Sequence, residues 1–235
     1  MKQLIFHIII LILLFSETSF SQYNGKKFSL SAGFNYITTS KLYLQPNSAD
    51  PFFRSTHDVL EDIYSVSFEF RYKVLDELII GIGTEYLSKT HNNGNFFLAG
   101  NRIEIEDGYT VIPIELSGYY LVPFSTEDFK FFMGGGAGIY LGRHIRRIED
   151  VEFNPDGNEL GYGIHVAIGM EYLINEYFSV RGQMRFRDPE FTMKSRYSNP
   201  AVNYKGNNYP LPAGSISSKV NIDGITFNIG LSFNF

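Results

Sequence analysis

The feature that most constrains this chain is a two-residue alternation of apolar and polar side chains, repeated in eight stretches and lasting to the final residue. An amphipathic helix repeats every 3.6 residues, so sustained alternation of this kind specifies strands with two chemically different faces. The stretches span about 26–37, 63–74, 78–89, 109–122, 129–142, 160–173, 177–187 and 225–235. The second sets Tyr64, Val66, Phe68, Phe70, Tyr72 and Val74 against Ser65, Ser67, Glu69, Arg71 and Lys73. Each is long enough for the roughly 9–11 residues with which a tilted strand crosses a bilayer. Pro113 interrupts the fourth; because proline cannot donate to a ladder, a bulge or a strand still emerging from its loop is expected there.

The connections alternate between tight and long. Short turns lie near 75–77, 123–128 and 175–176, and long loops near 38–62, 90–108, 143–159 and 188–218. An even number of antiparallel strands with short turns at one end and long loops at the other is the pattern of a transmembrane β-barrel. Charged residues lie mid-strand on a face otherwise rich in Gly and Ser, and Tyr gathers toward strand ends. The expected fold is therefore all-β: an eight-stranded antiparallel up-and-down transmembrane β-barrel over 22–235. A secreted soluble barrel is the competing architecture.

The first 21 residues read as a signal peptide, with a basic start at Lys2, an apolar run from Leu4 to Phe15 and small residues before an expected cleavage near Ser21. That run is shorter than the roughly 20 residues of a membrane-spanning helix. Composition narrows the function classes. The chain has no Cys, which excludes disulfides, thiolate metal sites and a cysteine nucleophile. A net charge of −5 without a basic stripe argues against nucleic acid as a partner, and a mean hydropathy of −0.09 argues against a helical membrane bundle.

Asn228, Gly230, Phe233 and Phe235 occupy the defined positions of a carboxy-terminal pattern ending in an aromatic residue. With the eight alternating stretches, this resembles the small bacterial outer-membrane β-barrels, including the OmpA transmembrane domain, OmpX and the opacity proteins. The Tyr- and Asn-rich loops resemble the Bacteroidetes style of such barrels. The resemblance implies location in the outer membrane, a surround of outer-membrane lipid, and recognition of those four residues by the barrel-assembly machinery during insertion.

Glu69, Glu85 and Glu115 fall at similar depth on the second to fourth stretches, with Arg71 also on the second stretch. Arg181 and Arg185 lie on the seventh, and Glu171 is within diagonal reach of Arg181 from the sixth. Inside a narrow barrel, buried charges of opposite sign must pair, so these seven residues are expected to form an interior charge network. His165 is expected to be a hydrogen-bonded interior histidine.

The run Gly134–Gly138 lies within a strand and opens no helix, which excludes a phosphate-binding loop. Arg143, His144, Arg146 and Arg147 form a basic cluster suited to lipopolysaccharide phosphates, or to a solvated hairpin with Glu149, Asp150, Glu152 and Asp156. The fourth long loop, with Tyr197, Tyr204 and Tyr209, reads as a mobile segment suited to a surface ligand. No local motif assigns a catalytic residue, a cofactor or a metal. The functional expectation is a non-enzymatic structural or surface-interaction barrel, with a narrow porin-like pore as the alternative and a lipid-modifying enzyme third.

Overall fold

The computed structural model describes residues 25–98, 100–157 and 160–235; the expected leader lies outside the described residues. Thirteen strands and one short helix follow in order: β1 Phe28–Tyr43, α1 Pro51–Ser55, β2 His57–Lys73, β3 Leu78–Leu98, β4 Asn101–Leu121, β5 Phe129–Ile148, β6 Val151–Pro155, β7 Leu160–Leu173, β8 Phe178–Arg187, β9 Glu190–Tyr197, β10 Ala201–Tyr204, β11 Asn207–Pro210, β12 Ile216–Asn221 and β13 Ile225–Asn234. The expected all-β antiparallel class is present, but the expected count of eight strands is corrected. The eight alternating stretches correspond to β1–β5, β7, β8 and β13, and the additional strands come from segments expected to be loops.

Those eight strands pair in a circuit. β1 pairs with β2, β2 with β3, β3 with β4 and β4 with β5. From there β5 pairs with β7, β7 with β8, β8 with β13, and β13 with β1. The first and last strands meet at the end where the short turns lie: Phe28 N–H donates to the Phe235 carbonyl at 3.0 Å, and Phe235 N–H donates to the Phe28 carbonyl at 2.8 Å.

Burial around this circuit is inverted relative to a water-soluble protein. Ile164, Ile229, Leu231 and Leu116 are 60–73% exposed, whereas Glu171, Glu85 and Arg187 are at most 4% exposed. The outward side chains form an apolar belt with tyrosines at both rims. On β2 the belt runs from Tyr64 to Tyr72, a length suited to the hydrocarbon layer.

The strands continue far beyond one rim. β3 and β4 have 21 residues each, roughly 70 Å of strand at about 3.3 Å per residue. The long segments are consequently built structure rather than mobile loops. Where β7, β8 and β13 stop, β6, β9 and β12 continue the wall, with β6 against β5, β9 between β6 and β12, and β12 against β1. Two apolar cores hold this extension together. One contains Ile37, Leu42, Leu60, Ile63, Leu87, Val111, Phe191 and Val220; the other contains Ile103, Ile148, Phe153, Tyr197 and Val202. Tyr204 and Tyr209 pack on the second core instead of waving free.

Pro113 leaves the β3–β4 ladder without Glu85–Pro113 or Tyr86–Ile112 pairs, but the register is unchanged on either side. The expected bulge is absent there, because the Thr84 hydroxyl donates to the Pro113 carbonyl at 2.9 Å and holds the strands together. A register shift occurs instead between Asn93 and Phe96.

The glycine run on β5 is explained by proximity. A Cβ on Gly136 would lie 1.9 Å from the Leu116 carbonyl oxygen, whereas one on Gly118 meets nothing within 4 Å. Gly136→Ala is therefore expected to destabilise the protein by about 1–3 kcal/mol or more, and Gly118→Ala to stay within about 0.5 kcal/mol of the parent. Urea unfolding in detergent, followed by heat-modifiable gel migration, checks both; equal stability of the two variants would contradict the close approach.

Candidate functional site

The interior polar face builds the site, because alternation on every strand of the circuit aims one set of side chains at a shared axis. The seven residues expected to form a charge network are brought together there. Arg71 Nη1 donates to Glu171 Oε2 at 2.8 Å, and its Nε lies 3.7 Å from Glu69. Arg181 lies 3.5 Å from Glu171; the two are directly opposite on β8 and β7 rather than diagonal. Arg185 reaches across to both Glu115 and Glu85, the latter at 3.1 Å.

Arg187 was absent from the expected set, yet it is 4% exposed, donates to Glu85 Oε2 at 2.8 Å and lies 3.6 Å from Glu115. Its signal was legible, since it continues the alternation of Arg181, Gln183 and Arg185. Its place at the strand end concealed it.

Four carboxylates thus meet four guanidinium groups, and the network has no net charge. Hydroxyls satisfy further lone pairs. Tyr119 donates to Glu69 at 2.6 Å, Tyr140 to Glu115 at 2.6 Å and Ser65 to Glu85 at 2.5 Å. His165 shares a hydrogen bond with Ser117 at 3.0 Å. Such supplementary bonds matter because buried ion pairs offset their desolvation cost only when well satisfied.

Apolar clusters flank the network. Toward the short turns, Ile79, Tyr119, Leu121, Phe132 and Ala167 form a cluster, and the Arg181 guanidinium stacks 3.8 Å from the Phe132 ring centre. Toward the long end stands the core containing Tyr109, Tyr140, Leu87 and Phe191. Beside these clusters lies a polar cavity of about 50 Å³, bordered by Ser67, Glu69, Gln183 and Asn228 among others. That is room for a few waters, far below the roughly 300–1,000 Å³ of ligand pockets.

The four residues expected to carry the assembly signal lie on β13. Asn228 and Gly230 face the interior, where Asn228 donates to Asn35 at 2.6 Å. Phe233 and Phe235 face outward; Phe233 packs on Phe178 at 5.4 Å and Phe235 on Phe28 at 5.9 Å.

The basic cluster expected near the outer rim is divided by strand alternation. His144 and Arg146 point inward, and Arg147 pairs with Glu106 and Glu152 at 3.0 and 2.8 Å. Of the four, Arg143 keeps an outward position without an ion pair among the described residues. His144 Nε2 and the Arg146 guanidinium both meet the fully buried Asp107 carboxylate, at 2.6 and 2.5 Å. Burial would raise the Asp107 pKa, but the His144 hydrogen bond and the Arg146 charge outweigh it and hold the carboxyl low. Burial pushes the His144 pKa down despite Asp107, so a neutral ring donates from Nε2 while Nδ1 has no partner among the described residues. No group of three or more metal-ligating side chains occurs among the described residues.

This inside-out antiparallel wall around paired charges defines a small β-barrel of the outer-membrane type in fold. Among solved structures, the chain is similar to the outer membrane protein OprG from Pseudomonas aeruginosa, at 14% identity over 89% of this chain and 96% of that one, with a TM-score of 0.61. It also matches the attachment invasion locus protein Ail of Yersinia pestis, at 9% identity, 89% and 99% coverage and a TM-score of 0.47. Neisserial surface protein A matches at 11% identity, 88% and 97% coverage and a TM-score of 0.47. The latter two superpose too loosely to bear on the argument. No protein-family model matches the sequence, and no curated protein does.

Arg187→Met leaves buried carboxylates short of a partner and is expected to cost about 3–5 kcal/mol in reversible urea unfolding. Arg147→Met, at an exposed pair, is expected to cost about 1 kcal/mol or less; equal costs would contradict the burial difference.

Both His144 and Asp107 have depressed pKa values in the folded state, so each contributes stability that is present above its ordinary value and lost as pH falls. Protection from hydrogen exchange across 101–111 and 143–148 is expected to hold above about pH 6.5, the ordinary histidine value, and to fall below it. A second loss begins below about 3.8, the ordinary value for Asp107. His144→Phe should remove the first loss; an unchanged profile would show that another group causes it.

Proposed function

We propose that this protein is an integral outer-membrane barrel whose eight-strand circuit forms a closed transmembrane wall and whose long end serves a structural or surface-interaction role. The single observation that carries this reading is the filled, charge-paired interior. Four Glu and four Arg pair with one another beside two apolar clusters, around a polar cavity of about 50 Å³. A wall filled in this way suits a scaffold for display better than a conduit.

The belt supports the membrane location. Apolar side chains that would be penalised in water are at ease against acyl tails, and a closed sheet leaves no unsatisfied amide in hydrocarbon. The partners implied are outer-membrane lipid along the belt and, during insertion, the assembly machinery at Asn228, Gly230, Phe233 and Phe235. No chemistry in the described interior calls for an enzyme assignment.

The expected outcome in planar bilayers is the absence of reproducible single-channel steps from refolded protein. Steps that change in size with Glu85→Gln or Glu115→Gln would replace this reading with the narrow-pore alternative. Orientation is tested separately. Because the chain has no Cys, Asn208→Cys on exposed β11 provides a unique thiol, and a membrane-impermeant maleimide should label it on intact cells. Labelling only after the cells are broken would reverse the topology and end the surface role.

A further inference from the structure

The wall is not continuous along its whole length. β2–β3 pairing ends at Ser65–Leu87, directly at the rim marked by Tyr64 and Tyr86. Both strands continue, β2 back to His57 and β3 on to Leu98, but no further β2–β3 pairs occur among the described residues. Each remains paired on its other side, β2 with β1 as far as His57–Tyr43 and β3 with β4 as far as Leu98–Asn101. Residues 57–64 and 88–98 are thus two sheet edges facing each other across a seam.

The backbone departs from regular geometry at the base of this seam. Asp62 has a φ of 53°, and Thr38 and Asp62 drop out of the β1–β2 ladder. The buried positions on β2 change there from Ile63 to Leu60, while the β1–β2 register is kept, Ile37–Ile63 on one side and Thr39–Glu61 on the other.

Side chains span the seam. Lys89 Nζ donates to the Asp62 carbonyl at 3.1 Å, Asn93 donates to Asp58 at 2.8 Å, and His91 Nε2 lies 3.7 Å from the same Asp58 carboxylate. A lysine ammonium on a main-chain carbonyl occupies the place where a neighbouring strand's amide would donate.

A second observation falls at the same place. Beyond the rim at the long end, large apolar side chains are exposed at Phe52, Phe53, Val59 and Phe97, at 71, 50, 51 and 67%. Phe52 and Phe53 belong to α1 in the β1–β2 connection, Val59 lies on the β2 edge and Phe97 on the β3 edge. These four side chains all lie on elements that border the seam. Many other apolar side chains in that half are gathered into the two cores.

We infer that the seam is a docking site for an extended polypeptide segment of another protein, which adds as a strand along the β2 and β3 edges and packs apolar side chains on Phe52, Phe53, Val59 and Phe97. Strand addition draws affinity from main-chain hydrogen bonds and specificity from alternate side chains, and both components are present here. An acyl chain would use the apolar border but has no amides for the edges. The edges also bear opposite charge, with Asp58, Glu61 and Asp62 on β2 and Lys89 on β3, so an occupant of mixed charge with alternating apolar residues fits best. This inference rests on the proposed outward orientation of the long end.

The test uses full-length mature protein in nanodiscs and a phage-displayed library of random twelve-residue peptides as the probe. Enriched peptides are expected to alternate apolar and polar residues, to lose at least tenfold in affinity against Val59→Ser/Phe97→Ser, and to slow amide exchange within 57–64 and 88–98. Both substituted side chains are exposed, and unchanged heat-modifiable migration confirms that the variant is folded.

No enrichment, or binding that leaves those amides unprotected, overturns the inference. So does a concentration-dependent dimer that protects the same amides, since the occupant would then be a second copy. Impermeant labelling of Asn208→Cys on intact cells separates the two failures: a labelled protein without peptide binding loses only the docking site, and an unlabelled one loses its outward orientation.

Discussion

The reciprocal hydrogen bonds between Phe28 and Phe235 mark the junction on which the rest of the architecture depends, because they join the last strand to the first. Once β13 lies against β1, each of the eight strands in the circuit has two partners, and the sheet acquires an inside. Two-residue alternation then separates side chains into two environments rather than two faces of one surface. Glu171 can be fully buried while Ile164, on the opposite face of the same strand, stands exposed. An open sheet of the same sequence would place that carboxylate and that isoleucine in the same solvent, and one of them would be badly placed.

The interior follows from having little room. Gly134, Gly136 and Gly138 on β5 give up side-chain volume next to β4, and long arginines from β8 occupy the axis. Arg185 and Arg187 start on β8 and end on Glu85 of β3 and Glu115 of β4, so they tie opposite sides of the circuit together. Packing the Arg181 guanidinium on Phe132 and Tyr119 joins this network to the apolar cluster below it. Removing a single charge leaves its buried partner short of a counter-charge, which makes the network resistant to piecemeal change.

The belt, its strand positions and most of the charge pairs were legible in the sequence because alternation is a local signal and opposite charges at similar depth have few other places to go. The extension was less legible. Ile103, Ile105, Asp107, Tyr109 and Val111 alternate as regularly as any belt strand, but polar neighbours such as Glu104 and Glu106 face water rather than lipid there, and the segment therefore resembles a loop. The same cause hid the Asp107–His144–Arg146 cluster. Read as a linear run, 143–147 is basic; folded as a strand, it sends His144 and Arg146 to one side and Arg143 and Arg147 to the other. The β9–β12 pairing was harder still, since those residues are far apart in sequence and their contact depends on where β8 and β13 end.

The position of the β2–β3 seam has a physical reason. With the belt in lipid, as proposed, each unpaired amide there would face a medium with no hydrogen-bonding partner, which accounts for the uninterrupted pairing from Lys73–Ile79 to Ser65–Leu87. Above Tyr64 and Tyr86 that requirement ends, because water or a side chain can satisfy an edge. There the wall changes its membership, with β6, β9 and β12 replacing β7, β8 and β13 between β5 and β1. The replacement conserves one continuous sheet from β2 round to β3 but does nothing to draw those two strands together. Lys89 and Asn93 bridge the remaining gap with side chains, which can be displaced without breaking a ladder. The boundary between a sealed and an openable wall thus coincides with the boundary of the apolar belt, as it must if lipid enforces closure below and water permits an edge above.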